Sequence, residues 1–117
     1  MESWKNVTNT FSEKRRHYMN TYLEICEIYD EAVEVSVFSS ESQPYEIYVS
    51  YGRMYGIIYS NAEDAYAKLE EIKKVLEKEY KENKEPTDEF IGTFAEKYQL
   101  ELPQDIIFDT SALFDLF

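Results

Sequence analysis

The sequence is poor in the residues from which many functional sites are built. It has one cysteine, one histidine, three glycines and three prolines among its 117 residues. A single cysteine cannot close a disulfide within the chain, and one cysteine with one histidine cannot complete a zinc site. The phosphate-binding motifs GxGxxG and GxxxxGK[ST] and the calcium loop DxDxDG do not occur. We therefore expect neither a metal nor a cofactor.

Long apolar segments are also missing. No apolar run approaches the roughly 18 residues of a membrane-spanning helix. The first residues, MESWKNVTNTF, lack the apolar core of a signal peptide. A lone cysteine suits a reducing compartment. These features predict a cytoplasmic protein that does not contact a membrane.

Candidate catalytic groups are scarce. A hydrolytic triad needs a nucleophile, a base and a residue that orients the base. His17, the only imidazole, follows a basic stretch at residues 14–16, and Cys26 lies among apolar residues. With 24 acidic residues, no pair of carboxylates stands out as general acid and base. We predict that the protein is not an enzyme, and we assign no catalytic residue.

The remaining composition is that of a folded domain. Hydrophobic residues make up 44% of the chain and charged residues 31%, which argues against disorder. The length is typical of a single domain, and no internal repeat or linker divides the sequence. We expect residues 1–117 to form one acidic α+β domain.

Apolar residues at a helical spacing near the N-terminus predict a helix. Residues 4–29 place a group of apolar side chains at a period of 3.6 residues: Trp4, Val7, Phe11, Tyr18, Tyr22, Ile25, Cys26 and Tyr29. Thr10 followed by Glu13 is a capping-box pattern. We predict a continuous helix over 11–29, with a short separate turn before it.

The period changes to two between residues 33 and 59, which predicts three antiparallel strands. Apolar residues alternate with others over 33–37, 45–51 and 54–59, and residues 39–44 are a turn-forming cluster. Gly52 and Arg53 suit a two-residue turn that pairs Tyr51 with Met54. The expected core face carries Tyr45, Ile47, Val49, Tyr51, Met54 and Ile58. The other face carries Glu46, Tyr48, Ser50, Tyr55, Ile57 and Tyr59.

Two helices and an apolar segment complete the predicted order. Residues 62–83 have the clearest helical stripe, which includes Ala65, Tyr66, Leu69 and Ile72. Ser60 or Asn61 caps this helix, and Thr87 caps a shorter one. The predicted α+β fold is an N-terminal helix, a three-stranded antiparallel sheet, a long helix, a short helix and an apolar C-terminal tail. The contact residues of this tail are Leu113, Phe114, Leu116 and Phe117. We expect them to pack against the body of the protein or to contact another chain.

Charge is distributed unevenly along the chain. Acidic residues outnumber basic ones 24 to 12, the net charge is −12, and no Lys or Arg lies between Arg16 and Arg53. A helix would place Glu24, Glu27 and Glu31 on one face. Such a surface either keeps the protein soluble or binds a basic partner. The residues that we predict to bind a partner are Glu24, Glu27, Glu31, Glu34, Glu41, Glu46, Tyr22, Tyr29 and Tyr48.

These features favour a binding protein over an enzyme. Spaced carboxylates can stand in for phosphates and pair with Lys and Arg of a target. The same charge opposes direct binding to nucleic acid or to an anionic membrane. In length, acidity and aromatic content the chain resembles bacterial immunity proteins and phage anti-defence proteins. We predict that it binds and inhibits a protein with a basic surface, such as a nucleic-acid enzyme, by nucleic-acid mimicry. The alternative is a regulatory or scaffold module that forms a homodimer through its tail.

Overall fold

A five-stranded antiparallel sheet precedes two helices in the computed structural model, which describes residues 3–8, 21–40 and 45–101. The strands are β1 (Trp4–Asn6), β2 (Thr21–Tyr29), β3 (Val33–Ser40), β4 (Tyr45–Tyr51) and β5 (Met54–Ser60), and each pairs with the next. The helices are α1 (Ala62–Asn83) and α2 (Asp88–Tyr98). The α+β class is confirmed. The predicted order of an N-terminal helix followed by a three-stranded sheet is wrong.

Residues 21–29 form a strand because their side chains suit a pleated surface better than a helix. Branched and aromatic residues dominate the segment TYLEICEIY. A β-bulge between Leu23 and Ile25 adds one residue to β2 opposite β3. Beyond the bulge the strand has apolar residues on both faces, with Cys26 buried on one and Tyr29 on the other, so that the spacing from Ile25 to Cys26 and Tyr29 imitates a helical stripe. Residues 9–20, which include the rest of the predicted helix, lie outside the described residues.

The three strands predicted from the period of two are confirmed as β3, β4 and β5. Tyr51 pairs with Met54, as predicted, and the pairs further along the two strands follow the same register. Gly52 has a φ of +59°, whereas Arg53 does not have a positive φ. Glycine in the first position of a two-residue hairpin turn favours this geometry, because it has no Cβ that would clash at a positive φ.

Side chains alternate between two faces of the sheet, which we call the helix-covered face and the second face. The helix-covered face holds the core, in which β-strand residues such as Val35, Val49 and Ile58 pack with Leu69 and Ile72 of α1. Phe94 of α2 joins the same cluster, and α1 lies over β3 and β4. The predicted assignment of the two faces of β4 and β5 is therefore confirmed.

Both helix starts have the predicted caps. The side chain of Asn61 accepts a hydrogen bond from the backbone N–H of Asp64 at 2.9 Å, and Thr87 Oγ1 accepts one from Phe90 N at 3.1 Å. These bonds satisfy amide groups that have no partner within the helix. Between the helices, the buried carboxylate of Glu79 accepts the N–H of Thr87 at 3.0 Å. The two helices are thus joined by a connection that is itself hydrogen-bonded to α1.

After α2 the chain returns to the free edge of β5. Glu101 and Ile57 exchange two backbone hydrogen bonds, of 2.8 and 2.9 Å, in an antiparallel bridge. Gly56 permits this approach, because a Cβ there would lie 2.7 Å from the Glu101 carbonyl oxygen and 2.7 Å from Leu100 Cγ. Residues 102–117, with the predicted contacts Leu113, Phe114, Leu116 and Phe117, lie outside the described residues.

Candidate functional site

The residues predicted to bind a partner are divided among several parts of the fold. Tyr29 is 1% exposed and belongs to the core. Glu34, Glu46 and Tyr48 belong to the second face of the sheet, and Glu41 lies outside the described residues. The helical face that was expected to join Glu24, Glu27 and Glu31 does not form, because β2 ends at Tyr29 and a turn follows it. Their role in binding a partner stays a prediction.

Glu27 is engaged within the molecule. Its Oε1 lies 2.6 Å from Lys73 Nζ of α1, and the two side chains are only 15% and 12% exposed. Burial alone would lower the pKa of Lys73, but hydrogen bonds and charge from Glu27 and Glu70 outweigh it and raise that pKa. The ammonium group also lies 5.4 Å from the centre of the Trp4 ring. This arrangement ties β1 and β2 to α1 and leaves Glu27 with its charge already balanced.

Glu34 is likewise held by neighbours on the second face. Its Oε2 accepts hydrogen bonds from Ser36 Oγ at 3.4 Å and from Cys26 Sγ at 3.7 Å. Burial raises the pKa of the Cys26 thiol to about 11, and the charge of Glu34 acts in the same direction against the hydrogen bond from Ser36. The thiol therefore stays protonated at neutral pH and is a poor nucleophile.

Tyr48 lies at the centre of the second face. Its ring makes an edge contact with Phe38, with 4.9 Å between the ring centres. Burial is the main reason that the pKa of its hydroxyl is raised, and the charge of Glu46 adds to the effect. Tyr48 is thus half-buried and packs against Phe38, and its role in binding a partner stays a prediction.

The turn between β2 and β3 consists of strained acidic residues. Asp30 and Glu31 both have a φ of +53°, a conformation that costs an ordinary L-residue roughly 1–2 kcal/mol. The hydroxyl of Tyr80 donates a hydrogen bond to the Asp30 carboxylate, whereas Glu31 is exposed. Residues 25–29 of β2 and Asp30 of the turn separate Glu31 from Glu24.

The remaining predicted residues, Glu24 and Tyr22, lie on β2, and Glu24 is close enough to Tyr66 in the first turns of α1 for its charge to act on the Tyr66 hydroxyl. With Tyr45 and Tyr66 they form a surface that we call the acid–tyrosine patch. Ser39 Oγ, next to Tyr22 across the β2–β3 pair, donates a hydrogen bond of 2.6 Å to Glu24 Oε2. Among the described residues, Glu24 has no ion pair with a Lys or Arg. It is an exposed carboxylate that is held by a hydrogen bond from Ser39 and has no cationic partner within the described ranges.

Tyr66 completes this patch and was not predicted as a binding residue. Its ring makes an edge contact with Tyr45 at 6.4 Å between centres, yet 43% of the residue is exposed. Burial raises the pKa of its hydroxyl first, and the nearby charge of Glu24 raises it further. The sequence placed Tyr66 in the buried stripe of α1. The buried residues Ala65, Leu69 and Ile72 follow a spacing of four and three residues. A stripe restricted to this spacing would have placed Tyr66 beside the buried face of α1 and not within it.

A groove of about 440 Å³ lies on the other side of α1, between α1, α2 and β5. Three of the polar groups that line it, those of Glu71, Lys97 and Tyr98, are paired with each other. Tyr98 donates a hydrogen bond of 2.5 Å to Glu71 Oε2, and Lys97 Nζ lies 3.5 Å from the same oxygen. The hydrogen bond from Tyr98 is the main reason that the pKa of Glu71 is lowered.

Comparisons of the chain with protein-family models, with curated proteins and with solved structures found no match in any of the three. Within the described residues, no three side chains of His, Cys, Asp or Glu are arranged to hold a metal ion. Neither α1 nor α2 is long and apolar enough to cross a membrane. The acid–tyrosine patch is the best-formed candidate site in the described part of the chain.

Proposed function

We propose that this protein binds and inhibits a protein with a basic, nucleic-acid-binding surface, and that the acid–tyrosine patch is the centre of the contact. The observation that carries the proposal is the position of Glu24, which accepts a hydrogen bond from Ser39, near Tyr66, 43% of which is exposed. Tyrosine is enriched among the residues that contribute most to binding energy at interfaces. A carboxylate beside such a ring can pair with a Lys or Arg of the partner.

The patch is favoured over the other acidic surfaces because its charge is available. Most acids on the long helix form pairs with lysines of this chain, such as Glu77 with Lys81 at 2.8 Å and Glu70 with Lys73 at 3.3 Å. A basic partner would have to break or share these pairs. Glu24 has no such pair among the described residues, and Ser39 restricts its motion, so that less side-chain entropy is lost on binding.

The excess of acid over base in the whole chain supports the same function. A net charge of −12 accelerates the approach to a positively charged surface and opposes the approach to nucleic acid. In this mechanism the protein occupies the phosphate-binding surface of its partner and excludes nucleic acid by competition. No chemical step is required of it.

The test is capture of partners from a lysate of the source cells by the immobilised protein, followed by identification of the captured proteins. We expect basic nucleic-acid-binding proteins to be captured at low salt, and added duplex DNA or RNA to displace them. Glu24→Lys with Tyr66→Ser should abolish this capture. Higher salt should slow association more than it speeds dissociation.

Matched variants separate the patch from net charge. Glu96→Lys changes an exposed acid of α2 by the same two charges as Glu24→Lys, and it should leave capture nearly unchanged. Tyr66→Phe retains the ring and should bind better than Tyr66→Ser. Equal loss with Glu96→Lys and Glu24→Lys would show that only net charge matters. Captured proteins that nucleic acid does not displace would contradict the inhibitory mechanism.

A further inference from the structure

Three aromatic rings of this protein already have a lysine of the same chain above them. The ammonium nitrogens lie 4.6 to 5.4 Å from the ring centres in the pairs Lys73 with Trp4, Lys84 with Tyr80 and Lys97 with Tyr98. At these distances a cation is attracted to the face of a ring. Within the described ranges Tyr66 has no such contact, although 43% of the residue is exposed. Its ring is therefore able to receive a cation from another molecule.

The sequence of α1 explains why no lysine of this helix reaches Tyr66. Side chains three and four residues apart are neighbours on the surface of a helix. For Tyr66 these positions hold Ala62, Glu63, Leu69 and Glu70. Lys68 is only two residues away, and residues at that spacing do not face each other. The neighbours of the ring on α1 therefore supply carboxylates and no cation.

The sheet adds a carboxylate with free acceptor sites near the same ring. After burial, the charge of Glu24 is the next cause of the raised pKa of the Tyr66 hydroxyl, so the two groups are close. Among the hydrogen bonds between described residues, one reaches the Glu24 carboxylate, at 2.6 Å from Ser39 Oγ. An ionised carboxylate has about four lone-pair sites. Glu24 can therefore still accept two hydrogen bonds from a single cationic group.

We propose that the acid–tyrosine patch recognises an arginine side chain of the partner, whose guanidinium group stacks on the Tyr66 ring and donates two hydrogen bonds to Glu24. This recognition rests on the proposed function, and it specifies which basic side chain the partner presents. A guanidinium is planar and weakly hydrated, so it can lie on a ring while its N–H groups point toward a carboxylate beside that ring. The ammonium group of lysine is a strongly hydrated point charge without this planar geometry. The patch should therefore prefer arginine to lysine.

Two fluorescein-labelled peptides test this preference with the full chain. One is a short Gly/Ser peptide with arginine at every third position, and the other has lysine at the same positions. Fluorescence anisotropy gives the dissociation constant of each complex. Both peptides carry the same charge, so the ratio of the two constants is independent of the net charge of the protein. We expect the arginine peptide to bind about five- to tenfold more tightly.

Variants of the ring separate stacking from charge. Tyr66→Ser should reduce the ratio to about one, because the stacking surface is lost, and Tyr66→Phe should restore most of it. Tyr59→Ser is the matched control, since Tyr59 is also 43% exposed and lies outside the patch. It should leave the ratio unchanged. Circular dichroism reports whether each variant keeps its fold.

Variants of the carboxylate test the hydrogen bonds. Glu24→Gln retains one acceptor oxygen and loses the charge, so it should weaken binding of both peptides and reduce the ratio. Glu96→Gln removes one charge from an exposed position of α2. It should weaken both peptides less than Glu24→Gln does and leave the ratio unchanged.

Equal binding of the two peptides, or an arginine preference that survives in Tyr66→Ser, would overturn the recognition of arginine. If Glu24→Gln still weakened both peptides more than Glu96→Gln, the proposed function would stand and only the choice of arginine would fail. Equal weakening by Glu24→Gln and Glu96→Gln would remove the patch from the contact and overturn both. An arginine preference that is lost in Tyr66→Ser and kept in Tyr59→Ser would establish the recognition.

Discussion

The approach of the chain to Gly56 gives a sharp prediction about stability. In Gly56→Ala the added Cβ would lie 2.7 Å from both the Glu101 oxygen and Leu100 Cγ, closer than atoms of this kind approach in proteins. The segment at residues 100–101 must shift and weaken its two hydrogen bonds to Ile57. Overpacking of this kind costs about 1–3 kcal/mol. Alanine gains up to about 1 kcal/mol over glycine within a strand, so we expect a net loss of roughly 1–2 kcal/mol.

Gly92 is the matched control. It lies in α2, and a Cβ there would meet nothing within 4 Å. Because glycine is a poor helix former, Gly92→Ala should raise the free energy of unfolding by about 0.5–1 kcal/mol. Urea titration followed by circular dichroism measures both variants. If Gly56→Ala is as stable as the parent protein, the close contact with Leu100 and Glu101 is not a feature of the folded chain, and the reasoning is refuted.

Three further predictions concern the turn, the core and the ion pairs. Glu31→Gly should stabilise the protein by about 1 kcal/mol, because glycine adopts a φ of +53° without strain, and a lower urea midpoint would contradict this. Tyr51→Phe removes the 2.8 Å hydrogen bond to the Lys84 carbonyl, at a cost of about 1 kcal/mol. Burial raises the pKa of Tyr51 from 10.0 to about 12, so stability should fall as the pH rises through this range, and less so in the variant. Lys73→Ala should reduce the urea midpoint more than Lys81→Ala, because only the former leaves a largely buried carboxylate unpaired.

Local patterns in the sequence predicted the centre of the fold well. A strict period of two with branched residues located β3 and β4, and Gly52 fixed the register of the hairpin. In α1 and α2, side-chain oxygens at Asn61 and Thr87 marked the first turns. Each of these signals acts between residues close in the chain, so no knowledge of the tertiary structure was needed to interpret them.

The wrong prediction of a helix at β2 arose where the local pattern is ambiguous. This strand has Tyr29 buried on one face and Cys26 on the other, and its bulge disturbs the alternation that remains. A strand buried on both sides cannot be distinguished from a buried helix by periodicity alone. The content of branched and aromatic residues was the signal that favoured a strand, and it was outweighed by the apparent helical spacing.

The candidate site was predicted only in part, because its burial and its contacts depend on residues that are far apart in the chain. Glu24 was selected because no Lys or Arg lies near it in the sequence, and Tyr22 because tyrosines interleave with these acids; both belong to the acid–tyrosine patch. Tyr66 was assigned to the core because it directly follows Ala65, which is buried. On a helix, neighbouring residues in the sequence can lie on opposite sides of the boundary between buried and exposed positions. Contacts such as Glu27 with Lys73 join residues far apart in the chain, and composition does not reveal them.

The bridge between Glu101 and Ile57 also bears on how molecules of this protein meet each other. An exposed edge strand can pair with the edge of another sheet and start aggregation. One edge of this sheet is β1, which has only three residues, and the other is β5, which Glu101 bridges near its midpoint. Proteolysis before residue 100 would remove this block. The cleaved protein would then present a seven-residue strand to its neighbours, and its shelf life at high concentration would be set by this edge even while its core stayed folded.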